Sequence, residues 1–283
     1  MLHEFTVACK NNDLNKIQQM IHIIDIPIDG GFRWACRNGH IDVIRYLVQN
    51  TYINIHANNE ECFRMACGYG HINIVKYLVS LGVDIHAIDE EGFRWACDKG
   101  NIDVIKYIVP LGVDIHARDE EGFRMACYSG RIDVVRYLVQ NTDIDIHAGE
   151  EEGFIWACNN GNIDVIKYIV PLGVDIHARY EEGFRLACYR GRIDVVRYLV
   201  QNTDIDIHAN NNEGFKWAWM NGHTHVVRYF VNFMQCVKYR KLNKTSQFMP
   251  RTDTATNNQW IRKKTYLINV GGYLNYINNN FIS

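Results

Sequence analysis

Seven copies of one pattern follow each other between Gly31 and Val231, at intervals of 30 or 31 residues. The pattern runs Gly-Phe-Arg-Trp-Ala-Cys-x-x-Gly, then Ile-Asp-Val-Ile-Lys-Tyr-Leu-Val, then Asp-Ile-His-Ala. Its anchoring alanines are Ala35, Ala66, Ala96, Ala126, Ala157, Ala187 and Ala218. A fixed period of this size is typical of a solenoid, in which each unit buries its apolar face only against its neighbours. The period therefore predicts a stack of repeats and favours binding as the class of function.

The sequence of each unit predicts a short first helix. Residues 88–117 serve as the example of one unit. Asp89 is a suitable N-cap for this helix, and Gly100 fits the left-handed residue that ends it. Phe93, Ala96 and Cys97 stand at i, i+3 and i+4, so we expect them to share one buried face.

A second helix is predicted to follow at once, with Asn101 as a plausible N-cap and Gly112 at its end. Its apolar stripe, which has Val104 at the edge, consists of Ile102, Ile105, Ile108 and Val109. The stretch 113–117 is too short for another helix, so it predicts an extended turn into the next unit.

The units also repeat in pairs. Residues 92–152 and 153–213 are identical at 52 of 61 positions. Within each pair a 30-residue unit with Pro110 or Pro171 precedes a 31-residue unit, so the turn after the second helix should alternate between two shapes.

Charge is distributed unevenly along the chain. Residues 234–283 carry eight basic residues and one acidic residue, for a net charge of +7, whereas the preceding 233 residues carry −9. Such a basic tail indicates either a nucleic-acid contact or docking onto its own acidic body, and the sequence leaves both open.

Composition and cysteine usage indicate an intracellular protein. No apolar run approaches the roughly 18 residues of a membrane span, and residues 1–5 lack the features of a secretory signal. Seven of the nine cysteines occupy one repeat position, which we interpret as small buried side chains in a reducing compartment. We expect the cytoplasm rather than the nucleus.

Recurring polar side chains predict local roles rather than a shared site. One histidine per unit cannot converge on a metal ion, whose ligands lie about 2 Å from one centre. We therefore interpret them as hydrogen-bonded turn side chains, with a ligand or pH switch as the alternative. These histidines are His56, His86, His116, His147, His177 and His208.

An arginine row recurs in the first helices, with Ile155 and Lys216 as exceptions. We expect it to pair with the Glu-Glu that opens each first helix, and an acidic partner is the alternative. The row consists of Arg33, Arg64, Arg94, Arg124 and Arg185.

Two aromatic rows also recur. Because Met65, Met125 and Leu186 fill the slot of Trp34, Trp95, Trp156 and Trp217 in other units, we favour apolar packing over a stacking platform. We expect half-buried side chains at Tyr46, Tyr77, Tyr107, Tyr137, Tyr168, Tyr198 and Tyr229.

The chain contains no phosphate loop, no Cys-x-x-Cys pair, no His-Glu-x-x-His and no nucleophile elbow. A catalytic site needs different groups that converge, which a row of equal residues does not supply. We expect no enzymatic activity, no cofactor, no metal and no small-molecule substrate.

The repeated residues resemble the ankyrin repeat. That family's unit runs Ala-Ala-x-x-Gly-His, Leu-Glu-Val-Val-x-x-Leu-Leu and Gly-Ala-Asp-Val-Asn-Ala, and the corresponding stretches here are 66–79 and 82–87. The match covers roughly residues 1–233. The resemblance implies an all-α, ankyrin-type solenoid of stacked helix-turn-helix repeats that acts as a protein-binding scaffold.

The period departs from the family's usual 33 residues. The missing residues lie between Ala57 and Phe63 and equivalently in each unit, which implies shortened or absent β-hairpin fingers. This short form is similar to the ankyrin-repeat proteins of giant amoeba viruses of the mimivirus type, which implies a virus–host interaction with a host protein as partner.

We divide the chain into three parts. Residues 1–30 read as a degenerate N-terminal capping repeat. Seven ankyrin-like repeats occupy 31–233, starting near 31, 62, 92, 122, 153, 183 and 214. An extended last helix, running to about Leu242, and a basic C-terminal tail of unknown fold occupy 234–283.

The two residues before the glycine that ends each first helix differ from unit to unit, and we expect them on the concave side, with free variation at exposed positions as the alternative to partner binding. The candidate partner-binding residues are Arg37, Asn38, Tyr69, Asp98, Lys99, Tyr128, Ser129, Asn159, Asn160, Tyr189, Arg190, Met220 and Asn221. The leading hypothesis is a protein–protein interaction scaffold. The alternatives are a nucleic-acid-associated protein that acts through its basic tail and a self-associating structural repeat protein.

Overall fold

A stack of helix pairs makes up the structure, a computed structural model that describes residues 2–21 and 28–233. The first helices of the pairs are α1 (Leu2–Lys10), α3 (Ile28–Asn38), α5 (Ala57–Tyr69), α7 (Ala87–Lys99), α9 (Ala117–Tyr128), α11 (Ala148–Asn160), α13 (Ala178–Tyr189) and α15 (Ala209–Met220). The second helices are α2 (Leu14–Met20), α4 (Ile41–Asn50), α6 (Ile72–Ser80), α8 (Ile102–Ile108), α10 (Ile132–Asn141), α12 (Ile163–Ile169), α14 (Ile193–Asn202) and α16 (224–233).

The two described ranges contain no strand, so the expected all-α solenoid is confirmed. Short turns stand where hairpin fingers would project. The predicted continuation of the last helix toward Leu242 and the basic tail lie outside the described residues.

One continuous hydrophobic core runs along the stack between the two layers of helices. Phe93, Ala96 and Cys97 are buried in it, as their spacing predicts. Val104 is fully buried, so its placement at the edge of the second-helix stripe was wrong. Ile102 and Val109 lie at that edge instead and are half-buried.

Neighbouring first helices approach each other closely at a glycine. A Cβ atom added to Gly122 would lie 2.6 Å from Cε1 of Phe93 and 3.3 Å from Sγ of Cys97, both in the preceding unit. Gly92 and Gly183 meet the equivalent phenylalanine and cysteine in the same way. The Gly-Phe-x-x-Ala-Cys pattern therefore sets the distance between units.

A short left-handed turn opens six of the first helices, and it corrects the predicted N-cap. Asp89 has φ of 49°, so it cannot cap the helix; the N-cap of α7 is His86, whose side chain makes no capping bond. Three successive residues in each turn have φ between 48° and 68°. These turns are 58–60, 88–90, 118–120, 149–151, 179–181 and 210–212.

Two turn shapes alternate after the second helices, as the paired repeat predicts. Within the two pairs, the 30-residue units add a 3₁₀ turn, Val109–Leu111 or Val170–Leu172, that ends on a left-handed glycine. The 31-residue units continue into an extended threonine: Thr142 donates its hydroxyl to the carbonyl of Leu138 at 2.6 Å.

The cysteines of the described ranges are buried and unpaired, which confirms their interpretation as core side chains. Burial raises the pKa of the Cys9 thiol to about 12 and raises the pKa of Cys67 still further. Such thiols stay protonated and unreactive at neutral pH.

Ala126→Arg tests this packing register. Ala126 is fully buried in the middle of the stack, so the substitution forces a charge into a repeat interface. We expect the free energy of unfolding, measured by urea denaturation, to fall by about 3 kcal/mol or more. Gln140→Arg, at an exposed position of α10, should leave the unfolding curve within about 0.5 kcal/mol. An unchanged curve for Ala126→Arg would contradict the register.

Candidate functional site

Each second helix is tied to the unit before it by the side chain at its N-cap. Asn101 occupies the N-cap of α8, as predicted, yet it caps nothing in its own helix. Its Nδ2 instead donates to the carbonyls of Cys67 and Gly68, both at 2.9 Å. The equivalent residues reach the same carbonyl end of the preceding first helix: His40, His71, Arg131, Asn162, Arg192 and His223.

The candidate partner-binding residues lie where these contacts hold the C-terminal ends of the first helices. First helices contact one another more extensively along the stack than second helices do. Exposed residues of the set are Arg37, Asn38, Tyr69, Lys99, Tyr128, Tyr189, Arg190, Met220 and Asn221. Half-buried ones are Asp98, Ser129, Asn159 and Asn160.

Several of these residues contact each other from one unit to the next. Ser129 donates its hydroxyl to a carboxylate oxygen of Asp98. Arg190 donates Nε to Oδ1 of Asn159 at 3.2 Å, and Asn160 donates Nδ2 to the carbonyl of Tyr128 at 2.8 Å. The structure thus joins positions that are about 30 residues apart into one line across the stack.

Aromatic rings recur beside this line, one from each unit. Tyr128 packs edge-on against Trp156, with ring centroids 5.9 Å apart, and Tyr189 packs against Trp217 at 5.6 Å. The guanidinium of Arg37 lies 5.1 Å from the ring centroid of Trp34 and 5.2 Å from that of Tyr69. We call this row the aromatic strip; it consists of Trp34, Tyr69, Trp95, Tyr128, Trp156, Tyr189 and Trp217.

The tryptophans of the strip are half-buried, so the expected apolar packing accounts for only part of each ring. Tyr69 and Tyr128 are each 49% exposed, and Tyr189 is 39% exposed. The tyrosine row on the second helices differs, because all seven of its side chains are half-buried, as predicted.

The arginine row pairs with glutamates, but across units. Arg94 forms an ion pair with Glu121 of the following unit, and Arg64 pairs likewise with Glu91. Arg94 also donates Nε to the carbonyl of Asp89 at 2.9 Å, within its own left-handed turn. Each buried arginine therefore holds the turn of one unit against the helix of the next.

Ile155 interrupts the arginine row, and the turn before it changes accordingly. The left-handed turn of that unit begins with Gly149, which adopts φ of 63° without the steric cost of a side chain. Lys216 follows the turn Asn210–Asn212, and asparagine also tolerates this conformation. Asparagine also opens the turn of the unit that keeps Arg64, at Asn58 and Asn59, so these residues suit the left-handed turn with or without the arginine.

Comparison with known families now adds to this geometry. The family profile described as Ankyrin repeats (3 copies) matches residues 5–89, 93–180 and 154–239. The chain belongs to the ankyrin repeat family. Ankyrin repeats are generally protein–protein interaction modules. A search of curated proteins found no match.

The recurring histidine of these ankyrin repeats makes the predicted turn hydrogen bond, and its partner is a buried glutamate. His86 Nδ1 lies 2.6 Å from Oε1 of Glu90, and the same oxygen accepts the backbone N–H of Asp114 at 3.1 Å. Asp114 Oδ1 in turn accepts the N–H of His116 at 3.0 Å. Glu60 and Glu151 accept the N–H of Asp84 and Asp175 in the same way, so hydrogen bonds run from these three units into the next.

These histidines are not gathered into a metal site. No group of three or more histidine, cysteine, aspartate or glutamate side chains within 2–21 and 28–233 could hold a metal ion. In the same ranges no helix is both long and apolar enough to span a bilayer.

Removing single arginines tests the role of the arginine row. Arg94 is 6% exposed at its side chain and supports both a turn and an ion pair, whereas Arg33 is 46% exposed and, among the described residues, forms an ion pair with Glu61 alone, at 3.3 Å. We expect Arg94→Ala to lower the free energy of unfolding by about 2 kcal/mol or more, and Arg33→Ala by less than about 1 kcal/mol. Equal losses in urea denaturation would contradict the double role of Arg94.

The hydrogen bonds between the recurring histidines and their glutamates predict that the stability of the fold depends on pH. The hydrogen bond to glutamate raises the pKa of His86, His116, His147 and His177 above the ordinary 6.5. A group whose pKa is raised by folding stabilises the folded state. This contribution is complete at pH values below the pKa of the group in the unfolded chain, and it is lost as pH rises through the pKa in the folded state. We therefore expect the Tm to fall as pH rises from about 6.5 toward 8.5.

Two variants locate the source of this slope. Glu120→Gln removes the carboxylate that His116 contacts at 2.7 Å and should flatten the decline in Tm. Asn212→Glu should steepen it, because His208 contacts an amide there instead of a carboxylate. A decline that neither variant alters would mean that other groups set the pH dependence.

Proposed function

We propose that this ankyrin-repeat chain is a non-catalytic scaffold that holds a protein partner along the aromatic strip and the adjoining line of candidate residues. One observation carries the proposal. The nine differences between residues 92–152 and 153–213 fall in first helices, in their left-handed turns or, for Ser129 and Arg190, at the C-caps of first helices. Second helices α8 and α12, like α10 and α14, are identical in sequence. Variation between these copies is therefore confined to the layer of first helices and the turns that flank them.

The chemistry of that side supports binding. Tyrosine, tryptophan and arginine dominate the energetics of protein interfaces, and all three line the strip. The N-cap side chains and the cross-unit contacts hold these rings in place before a partner arrives, so little side-chain entropy is lost on association.

The nature of the partner is a second part of the proposal. We propose a host protein in the host cytoplasm, met during a virus–host interaction. The short repeat period and its similarity to giant-virus ankyrin proteins support the host assignment, and the buried unpaired thiols fit a reducing compartment.

Removing exposed rings tests the scaffold. We expect the double variant Tyr128→Ala and Tyr189→Ala to lose, by at least about tenfold, the protein that the full chain captures from host-cell lysate. The matched control is Tyr52→Ala with Tyr180→Ala, because these two tyrosines are exposed but lie outside the strip. It should retain the partner, and thermal melts should show that both variants stay folded.

The alternatives give different results in the same experiment. Binding that disappears with nuclease, or falls steeply with salt in the wild type and both variants alike, would assign the function to the basic tail and nucleic acid. Capture of only further copies of this chain, with a concentration-dependent mass in light scattering, would assign it to self-association.

A further inference from the structure

The aromatic strip carries exposed cations. Six of them lie on the first helices, at the C-cap of a first helix or at the N-caps of the second helices: Lys10, Arg37, Lys99, Arg131, Arg190 and Arg192. Asp98 is the carboxylate among the candidate residues; Ser129 donates to it, and Lys99 Nζ pairs with it at 2.6 Å. The other five cations form no ion pair among the described residues, on a repeat body whose net charge is −9.

Carboxylates gather on the opposite edge, at the left-handed turns and the turns before them. The side chains of Asp89, Asp143, Glu150 and Asp204 are 70–88% exposed; two of these carboxylates pair with arginines of the same edge, Asp89 with Arg118 and Glu150 with Arg179. The glutamates at the start of the first helices, such as Glu91 and Glu121, are paired with the arginine row and add no net charge to the strip.

The strip cations keep donors that the fold does not use. Arg131 and Arg192 each give Nε to a carbonyl of the preceding unit, which leaves four N–H groups per guanidinium. Aspartates near the start of the second helices, including Asp103, Asp133 and Asp164, form no ion pair in the described residues with these cations. Guanidinium groups beside aromatic rings suit carboxylates and apolar side chains at once.

Resting on the proposed function, we propose that the strip takes an acidic polypeptide segment, whose carboxylates pair with the strip cations and whose apolar side chains pack on Tyr69, Tyr128 and Tyr189. The alternation of tyrosine and tryptophan from unit to unit offers the segment a repeated set of contacts. Net positive charge on the partner would be repelled by the same surface.

Two charge-reversal variants of the full chain test the proposal. The first is Arg37→Glu with Arg190→Glu, on the strip. The second is Arg136→Glu with Arg197→Glu, on the second-helix side, where both arginines are exposed and lie over tyrosine rings. Both variants change the net charge equally and leave the basic tail intact, so any difference between them belongs to the strip.

The probe is a glutamate-rich random copolymer of glutamate and tyrosine, labelled for fluorescence anisotropy, with a lysine–tyrosine copolymer as the opposite charge. We expect the strip variant to bind the acidic copolymer at least about tenfold more weakly than the wild type, and the second-helix variant to change by less than about twofold. Equal weakening in both variants, no weakening in either, or tighter binding of the basic copolymer to the wild type would overturn the proposal.

The lysate capture separates this inference from the function it rests on. If the strip charge reversal retains the captured protein while the tyrosine variants lose it, the scaffold stands and the acidic segment is wrong. If the tyrosine variants retain the protein, the strip is not the working surface and both proposals fail.

Discussion

The close contact between successive first helices is the constraint on which the other interactions depend. Gly122 approaches the ring of Phe93 and the sulfur of Cys97 so tightly that a Cβ atom would not fit without movement. This spacing brings three polar ladders within reach: N-cap side chains to helix ends, arginine to glutamate, and histidine to glutamate to backbone. Each ladder crosses one interface, so the stability of the stack is a sum over neighbouring units.

This design separates two tasks within one repeated sequence. The buried face and the ladders recur almost unchanged, with Cys62 as the exception at the glycine position of its unit. The C-terminal ends of the first helices project from this fixed frame and vary from unit to unit. The aromatic strip and its cations therefore form the part of the molecule where specificity can change at little cost to folding.

The sequence predicted what depends on period and composition: the solenoid, the all-α class, the buried Phe93 and Cys97, the glycine ends and the alternating turns. It did not predict the left-handed turns, because Asp89 satisfies N-cap preferences and a positive φ at non-glycine residues such as Asp89 and Glu90 runs against the ordinary preference of side-chain-bearing residues. The cross-unit role of Asn101 was also missed, since an N-cap residue read alone points to its own helix. For the site, the sequence located the variable positions. That these positions lie beside the tryptophan row became visible only in the structure.

The account's central claim is that a partner lies along the C-terminal ends of the first helices. Hydrogen–deuterium exchange of the full chain, alone and with its captured partner, tests this claim most directly. The account predicts slower exchange on binding at residues 66–70, 126–130 and 187–191, with little change in the second helices. Protection confined to the second helices or to residues 243–283 would contradict it.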